Sequence, residues 1–278
     1  MKQKFFITSD IHSFYTPLKK ALDEKGFDPD NKDHWLIVCG DAFDRGDESE
    51  KVLHFLMSLE RKILVKGNHD ILLQDLCERK YPHYHDYSNG TAKTVFDLGA
   101  GIEGVPFAEC CNITWNRTAA YRDLLVNYFE TKNYIFVHSW IPTHIEYEGT
   151  TKPWYQQDKR HTYMEDWRDG NDIEWEDAMW GNPFYKWQDG LNQTGKTIVF
   201  GHWHCSTGHS LFSTLNKSGN DVECGISEFE DDAIWEPFIH DNIIGIDRCT
   251  AHTGEVNVLV IEDEFDTNWL TKYKKEFE

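Results

Sequence analysis

Five short apolar runs in this sequence of 278 residues are each followed at once by side chains that can bind a metal ion. In "ILVKGNHDIL", residues 63–72, an amide, an imidazole and a carboxylate stand side by side after a glycine. Polar groups at the end of a buried segment cost free energy unless something binds them. The residues in such positions are Asp10 and His12 after "FFITS", Asp41 after "LIVCG", Asn68 and His69 after "ILVKG", His138 after "YIFV", and His202 and His204 after "TIVFG".

The elements that carry these residues have the patterns of buried strands and amphipathic helices. "KFFITSD", "HWLIVCGD" and "KILVKGNHD" are predicted strands, and "TPLKKALDEKGF" and "SEKVLHFLMSL" are predicted helices between them. We expect Pro17 at the first position of its helix and Gly26 at the end. Strands alternating with helices predict a parallel sheet. "YIFVHSW" and "KTIVFGHWH" are further strands, and "IIGIDRCTAHTGEVNVLVIEDE" predicts two strands joined by a turn at Thr253-Gly254.

Loops at the carboxyl ends of parallel strands share one edge of the sheet, where ligands bind. A single His after a strand is usually structural, and a single Asp often caps a helix. Five such strand ends in one chain favour a site for two cations. The mixture of oxygen and nitrogen ligands suits Mn²⁺, Fe or Zn²⁺ better than Ca²⁺ or Mg²⁺. Two ions about 3.5–4 Å apart can share a hydroxide nucleophile and hold phosphate oxygens.

The motifs "SDIH", "GDAFDRG", "KGNHD", "FVHS" and "FGHWH", in this order, resemble those of the calcineurin-like metallophosphoesterases. "GDAFDRG" with "GNHD" is most similar to the phosphoprotein phosphatase branch, which includes phage lambda-type protein phosphatases and bacterial diadenosine tetraphosphatases. "SNGTAKT" and the C-terminal strands resemble further segments of that branch, so the resemblance covers nearly the whole chain. It implies an α/β fold of four layers, α/β/β/α, in which two mixed sheets pack together with helices outside.

The resemblance also implies roles for individual residues. The first metal would be bound by Asp10, His12 and Asp41, and Asp41 would bridge to a second metal. Asn68, His138 and His202 would complete the second site, and His204 could be a fourth ligand of the first metal. His69 matches the proton donor to the leaving group, Asp44 its orienting partner, and Arg45 the residue that grips the phosphate. Asp70 would then cap a helix that starts at Ile71.

The chain departs from the branch at several positions. Ser9 and Ser13 replace glycines, and Lys66 replaces an arginine that many relatives have before "GNH". The "WIR" segment of the branch supplies a second phosphate-binding arginine. Its nearest counterpart here, "AMWGNPF" at 178–184, has none. Arg160, Arg168 and Lys186 are the candidates to replace that arginine, and the sequence does not choose among them.

The composition is that of an acidic globular chain, with a formal net charge of −20 and 40% apolar residues. A negative field repels polyanions, so we expect no binding to nucleic acid or to an anionic membrane. The sequence has no apolar run of 18 residues, and "MKQKFFITSDIH" does not match a signal peptide. With seven Cys and no CxxC spacing, we expect free thiols and a cytoplasmic location. The oligomeric state stays open.

We expect a single domain over residues 1–278, with an irregular excursion rich in Trp and acidic residues at about 145–190. This excursion is predicted to form a packed lid over the cleft. "GLNQTGKT", residues 190–197, matches the G-x4-G-K-T pattern of a phosphate-binding loop, but a strand rather than a helix follows it. We therefore predict a turn there. "PHYHDY", residues 82–87, is predicted to be an exposed loop, and Cys110 and Cys111 to be buried and inert.

Three functions are compatible with this sequence. The first is a dinuclear-metal phosphoesterase that removes phosphate from phosphoserine or phosphothreonine in proteins. The second is a hydrolase of dinucleoside polyphosphates such as diadenosine tetraphosphate. The third is a binding module that holds metals without catalysis. Because a silent site has no use for His69, Asp44 and Arg45 together, we favour an enzyme, and of the two enzymes the first.

Overall fold

A computed structural model describes residues 2–99, 104–148, 158–215 and 226–264, and two five-stranded sheets form its centre. The first sheet has the order β12-β1-β2-β3-β4, with strands β1 (Lys2–Thr8), β2 (His34–Cys39), β3 (Lys62–Val65), β4 (Leu125–Val126) and β12 (Leu259–Glu264). The second has the order β10-β11-β9-β6-β5, with strands β5 (Phe129–Glu130), β6 (Tyr134–Phe136), β9 (Thr197–His204), β10 (Phe238–His240) and β11 (Ile243–Asp247).

Both sheets are mixed. In the first, β1, β2, β3 and β4 run parallel, and β12 is antiparallel to β1. In the second, β9 is parallel to β6 and to β11, while β5 and β10 are antiparallel edge strands. The predicted β-α-β beginning and the parallel core of the first sheet are therefore confirmed.

The two sheets pack face to face through one cluster of apolar side chains. Alternate residues of a strand point to opposite faces. In β1, Phe5 and Ile7 face the second sheet and contact a cluster that includes Phe136 and Val199, while Phe6 faces the helices. Because both faces are buried, the strands are continuously apolar instead of alternating.

Helices cover both outer faces, so the predicted four-layer α/β/β/α fold is confirmed. Over the first sheet lie α1 (Tyr15–Glu24), α2 (Ser49–Ser58), α3 (Asn68–Arg79), α5 (Thr91–Gly99), α6 (Phe107–Arg117) and α7 (Ala119–Arg122), and α4 (Tyr84–Ser88) packs against α5. The remaining helices are α8 (Asp172–Trp180), α9 (Pro183–Gln188), α10 (Cys205–Leu215) and α11 (Thr250–Thr253), with a 3₁₀ turn at Trp167–Asp169. Within the described ranges, no helix has the length and apolarity needed to cross a membrane.

Two helix starts differ from the sequence-based expectation. The first helix begins at Tyr15, so Pro17 is its third residue and not its first. The helix expected from Ile71 begins at Asn68. Asp70 therefore lies inside the first turn of α3, where its Oδ2 accepts a hydrogen bond from the Gly67 amide at 2.8 Å. Asp70 still caps the helix, as predicted, but from within it.

The segment expected to be irregular, 145–190, contains regular elements instead. A hairpin of β7 (Thr143–Glu148) and β8 (Asp158–Tyr163) is followed by α8 and α9. Asn171 and Asn182 cap these two helices, each with its side-chain oxygen accepting from two backbone amides. The Trp-rich and acidic composition did not indicate these elements. However, an Asn before each helix and Pro183 at the start of α9 were recognisable signals. Trp154, expected in the same lid, lies outside the described residues.

The C-terminal strands separate after their turn. The sequence predicts two strands joined at Thr253-Gly254, and Gly254 does turn the chain at a φ of +68°. However, β11 pairs with β9 in the second sheet, and β12 pairs with β1 in the first. The connection with α11 thus ties the two sheets together at the end that carries the polar residues. The single-domain organisation stays a prediction.

Candidate metal centre

The loops after the strands of both sheets meet at one edge. The backbone amides of Asp10, His12 and Ser13 donate to the carbonyls of Gly40, Asp41 and Ala42, so the first two loops lie against each other. The amide of His202, at the end of β9, donates to Asp10 Oδ2 at 2.9 Å. One hydrogen bond thus joins the second sheet to the first loop.

Asp41 belongs to two groups of potential metal ligands. Ligand atoms of His12, Asp41 and His69 lie within 4.8 Å of one another, and so do those of Asp41, His138 and His202. Asp10 adjoins the first group, since its Oδ1 is 3.9 Å from His12 Nε2. A carboxylate shared by two such groups is placed where it could bridge two cations.

The second group is compact enough for a metal ion. His138 Nε2 lies 2.7 Å from Asn68 Oδ1, 3.3 Å from Asp41 Oδ2 and 3.2 Å from His202 Nδ1. Metal–ligand bonds of about 2.0–2.2 Å require ligand atoms roughly 3–3.5 Å apart. The residue types and their separations therefore fit a divalent cation.

Backbone carbonyls orient two of the histidines. His138 Nδ1 donates to the Cys39 carbonyl at 2.8 Å, and His12 Nδ1 donates to the Phe43 carbonyl at 2.9 Å. Each ring therefore turns its other nitrogen, Nε2, toward the centre of the site. Such a hydrogen bond fixes the tautomer of a metal-binding imidazole.

Glycines make room for the ligands. A Cβ on Gly67 would lie 2.1 Å from Asp41 Oδ1, and one on Gly201 would lie 2.2 Å from Asp10 Oδ2. Each glycine directly precedes a candidate ligand, Asn68 or His202. Any side chain at either position would push away a carboxylate of the site.

Backbone strain concentrates in the same loops. Ten residues other than glycine have a positive φ in the described part of the chain, and six of them are predicted site residues: Asp10, His12, Asp41, Asp44, Arg45 and His202. Non-glycine residues rarely adopt this conformation, and they persist in it where the surrounding structure holds them.

Burial and neighbouring charges shift the pKa values of several site residues. Burial raises the pKa of Asp10 to about 6. Burial would lower the pKa of His138, but the nearby Asp41 carboxylate reverses this and raises it to about 10. For His202, burial lowers the pKa to about 3, so the ring is neutral and can act as a ligand. Cations bound at this centre would compensate the buried acids.

His69 and Asp44 form a buried pair held by two threonines. His69 Nδ1 lies 2.6 Å from Asp44 Oδ2. The Thr91 hydroxyl donates to Asp44 Oδ2 at 2.6 Å, and the Thr94 hydroxyl donates to Asp44 Oδ1 at 2.8 Å. The threonines come from α5, in the "SNGTAKT" segment, which thereby contributes directly to the site. This arrangement fixes the His69 ring so that Nε2 faces the metal groups.

Arg45 places a cation beside that histidine. Its Nη2 lies 3.5 Å from His69 Nε2, and the residue is exposed. Gly90, at a φ of +83°, packs under its backbone, because a Cβ there would lie 2.2 Å from Arg45 N. The guanidinium lies at the exposed mouth of the site beside His69, where it could bind an anion.

His204 lies at the border of the site and outside both three-residue groups. Its Nε2 is 4.0 Å from Asp247 Oδ2, and its Nδ1 is 3.5 Å from Glu228 Oε1. Asp247, at the end of β11, is a buried acid that the sequence reasoning missed. Burial raises its pKa well above the usual value, and the nearby Asp10 carboxylate adds to the effect. The missed signal was a further strand, "IIGID", ending in a carboxylate.

Two of the three residues that could supply a second phosphate-binding cation contact carboxylates outside the metal centre. Arg168 donates from Nε and Nη2 to the Glu130 carboxylate, both at 2.8 Å. Lys186 is buried with its Nζ 3.5 Å from Asp177 Oδ2. Arg160 is exposed on β8. Two of the three charges are therefore already compensated.

Of the motifs that the sequence analysis discounted, one differs from the expectation: "PHYHDY" is partly helical. β9 directly follows "GLNQTGKT", and Lys196 Nζ donates to Glu130 Oε2 at 3.0 Å, so this segment has no phosphate-binding geometry. In "PHYHDY" the structure adds a short helix, α4, to the expected loop. Cys110 and Cys111 are buried free thiols.

The candidate ligands at the strand ends and this fold are those of a phosphoester hydrolase class. The sequence profile of the calcineurin-like phosphoesterases matches residues 3–206, and the chain therefore belongs to this family. The resemblance inferred from the motifs is confirmed, and so is the expectation of an enzyme class that hydrolyses phosphoester bonds.

Individual relatives carry more specific names. A symmetrical bis(5'-nucleosyl)-tetraphosphatase of Buchnera aphidicola is 38% identical over 86 residues, which are 29% of this chain and 31% of that protein. A protein of the same name from Pseudomonas fluorescens is 26% identical over 235 residues, 78% of this chain and 71% of that protein. In several relatives of this name, the similar region spans only 23–31% of the relative's length.

A solved structure supports the fold. The cold-active protein-tyrosine phosphatase of a psychrophilic Shewanella species has a TM-score of 0.50 and 15% identity. The alignment covers 93% of this chain and 75% of that one. At this identity the likeness concerns the architecture alone.

Proposed function

We propose that this protein hydrolyses dinucleoside polyphosphates at a centre of two divalent cations. This was the alternative in the sequence analysis, and the relatives named as symmetrical tetraphosphatases support it over protein dephosphorylation. One such similarity spans 78% of the chain. Symmetrical cleavage of a tetraphosphate would yield two nucleoside diphosphates.

For the metal centre, the supporting observation is the sharing of Asp41 between two ligand groups. We assign Asp10, His12 and Asp41 to the first cation, and Asp41, Asn68, His138 and His202 to the second. We assign His204 to the first cation as its fourth ligand. When bound, the cations would polarise a phosphoryl oxygen and lower the pKa of a water molecule. Mn²⁺ is the cation we favour from the ligand types.

The residues around the centre would handle the substrate. Water attacks one phosphorus atom, the bridging P–O bond breaks, and its electrons leave with a nucleoside diphosphate. Arg45 would bind phosphate oxygens at the mouth of the site. His69, oriented by Asp44, would donate a proton to the leaving oxygen, since its Nε2 faces the metal groups.

One observation favours the second candidate, a phosphoserine or phosphothreonine phosphatase. The His69–Asp44 pair is completely assembled and buried. An alkoxide leaving group needs a proton much more than a phosphate leaving group, whose second pKa is about 6. A site so well prepared for proton donation also suits phosphomonoesters.

The test uses protein stripped of metal and assayed with and without Mn²⁺. Diadenosine tetraphosphate and a phosphothreonine peptide are supplied in parallel, and nucleotides and phosphate are quantified. We expect Mn²⁺-dependent conversion of the dinucleotide to ADP alone. Phosphate release only from the peptide would establish the second candidate instead. Activity on neither would overturn both and return the metal-holding binding module to consideration.

A further inference from the structure

Trp180 is a large exposed aromatic residue in contact with the metal centre. It is the last residue of α8, and 43% of its surface is accessible. Its ring centroid lies 6.1 Å from that of His202, with the planes at 89°. His202 belongs to the ligand group of Asp41 and His138. The indole therefore borders the proposed reaction centre and presents free surface beside it.

The chain buries other tryptophans from the same region. Trp140 and Trp167 are 1% exposed, and Trp175 is 5% exposed. An aromatic ring gains more free energy by burial than almost any other side chain. An exposed indole next to a catalytic centre is therefore a candidate contact surface for the substrate.

The backbone around Trp180 is tied to the strand end that carries His138. The Ala178 carbonyl accepts from the Trp140 amide at 3.2 Å. The Gly181 carbonyl accepts from the Ser139 hydroxyl at 2.6 Å. Ser139 and Trp140 directly follow His138, so the position of the indole relative to the metal centre is fixed from both sides of Trp180.

The chemistry at this position suits a neutral aromatic group and not another phosphate. Residues 178–184, "AMWGNPF", contain no Lys or Arg. Lys186, on the following helix, is buried against Asp177. A planar, uncharged π-face is what a nucleobase stacks on.

We propose that Trp180 is a specificity-determining residue that stacks on one nucleobase of the substrate. The inference rests on the proposed function and names the part of the substrate that the metal centre does not hold. In a symmetrical tetraphosphate cleavage, one phosphate and a ribose separate the attacked phosphorus from the base. With this spacer, the base can extend past His202 to the indole of Trp180.

The experiment compares Trp180→Ala, Trp180→Phe and Tyr185→Ala in the Mn²⁺-loaded protein. Tyr185 is the matched control, because it is an exposed aromatic residue five positions away on α9. Calorimetry measures the affinity for ADP and for pyrophosphate, and kinetics measure kcat and KM for diadenosine tetraphosphate. Pyrophosphate has the two phosphate groups of ADP without the ribose and the base.

We expect Trp180→Ala to weaken ADP binding and to raise KM for the dinucleotide by about tenfold, with kcat within about twofold. Pyrophosphate binding should not change. Trp180→Phe should recover most of the loss, since it keeps a π-face, and Tyr185→Ala should match the unsubstituted protein. Equal losses for ADP and pyrophosphate would mean that the indole only shapes the metal site, and the proposal would be wrong.

The binding measurement separates this inference from the proposed function. If the dinucleotide is not cleaved but ADP still binds through Trp180, the proposed function fails and the base-stacking role stands. If Trp180→Ala leaves the affinity for ADP unchanged, the base-stacking role is overturned whatever the activity.

Discussion

The two corners of the site that contain His69 and His204 are built very differently. His69 is buried, and its partner Asp44 accepts hydrogen bonds from Thr91 and Thr94 at 2.6 and 2.8 Å. The side chain of His204 is 25% exposed, and its carboxylate neighbours lie 3.5 and 4.0 Å away. Hydrogen bonds therefore fix the first corner. In the second corner, His204 packs mainly against the rings of Phe229 and Trp235.

This difference predicts which substitutions should lower the activity most. A proton donor must be oriented before the reaction, so the tight corner fits that task. A histidine with weak polar contacts is oriented by a cation when one is bound. We therefore expect the loss of activity on substitution to decrease in the order Asp41, His69, Asp44 and His204.

The largest effect is expected for Asp41→Asn. Loss of the one charge shared by both ligand groups should remove metal as well as activity. We expect turnover to fall by more than the roughly 10²–10⁴-fold typical of a lost proton donor. Metal content by elemental analysis checks this, with Asp47→Asn as the control, because Asp47 is an exposed carboxylate of the same loop. Retention of both metals in Asp41→Asn would refute the bridging position.

His69→Asn should come next and should depend on the leaving group. For an ester with an alkoxide leaving group, such as phosphothreonine, loss of the proton donor should lower any turnover by about 10²–10⁴-fold. Nitrophenyl phosphate and diadenosine tetraphosphate should lose much less, because their leaving groups hardly need a proton. Rates on all three substrates, taken with the same preparation, provide the comparison. Equal losses on all of them would remove His69 from the acid role.

Asp44→Asn should have a smaller effect of the same kind. The amide keeps the size of the side chain but cannot stabilise a charged His69, so we expect a loss of about 10–100-fold. If Asp44 acts only through His69, adding Asp44→Asn to His69→Asn should cost nothing further. Kinetics of the two single variants and the double variant test this. Additive losses would show that Asp44 has a separate task.

His204→Ala should have the smallest effect. We expect the Mn²⁺ concentration for half-maximal activity to rise by about tenfold, with kcat at saturating Mn²⁺ nearly unchanged. Metal titrations of the variant and the unsubstituted protein measure this shift. A loss as large as that of His69→Asn, persisting at saturating Mn²⁺, would show that the two corners are equivalent after all.

Much of the first sheet and its loops was predictable from the sequence. The strands at Phe5, Leu36 and Ile63 are continuous apolar runs, and the helices between them have regular spacing. The hairpin and helices of 143–188 were missed because their Trp-rich composition masked the capping signals at Asn171 and Asn182. Asp247 was missed because its strand lay among the weaker parts of the resemblance.

Contacts across the sequence could not be predicted from spacing. Thr94 lies 50 residues from Asp44, yet its hydroxyl shares a hydrogen bond with the carboxylate at 2.8 Å. No periodicity relates the two positions, since periodicity describes only the faces of a single element. The sequence also did not show that Trp180 is exposed, because other tryptophans of the same Trp-rich segment are buried.

The sequence by itself determined the residue types at the strand ends and the apolar strands that carry them. Only the tertiary structure decided that the two sheets meet at the same edge, where His138 of the second lies 2.7 Å from Asn68 of the first. The physical reason is that side-chain alternation is a local property of one strand. The packing of two sheets depends instead on the combined burial of many side chains from distant parts of the chain.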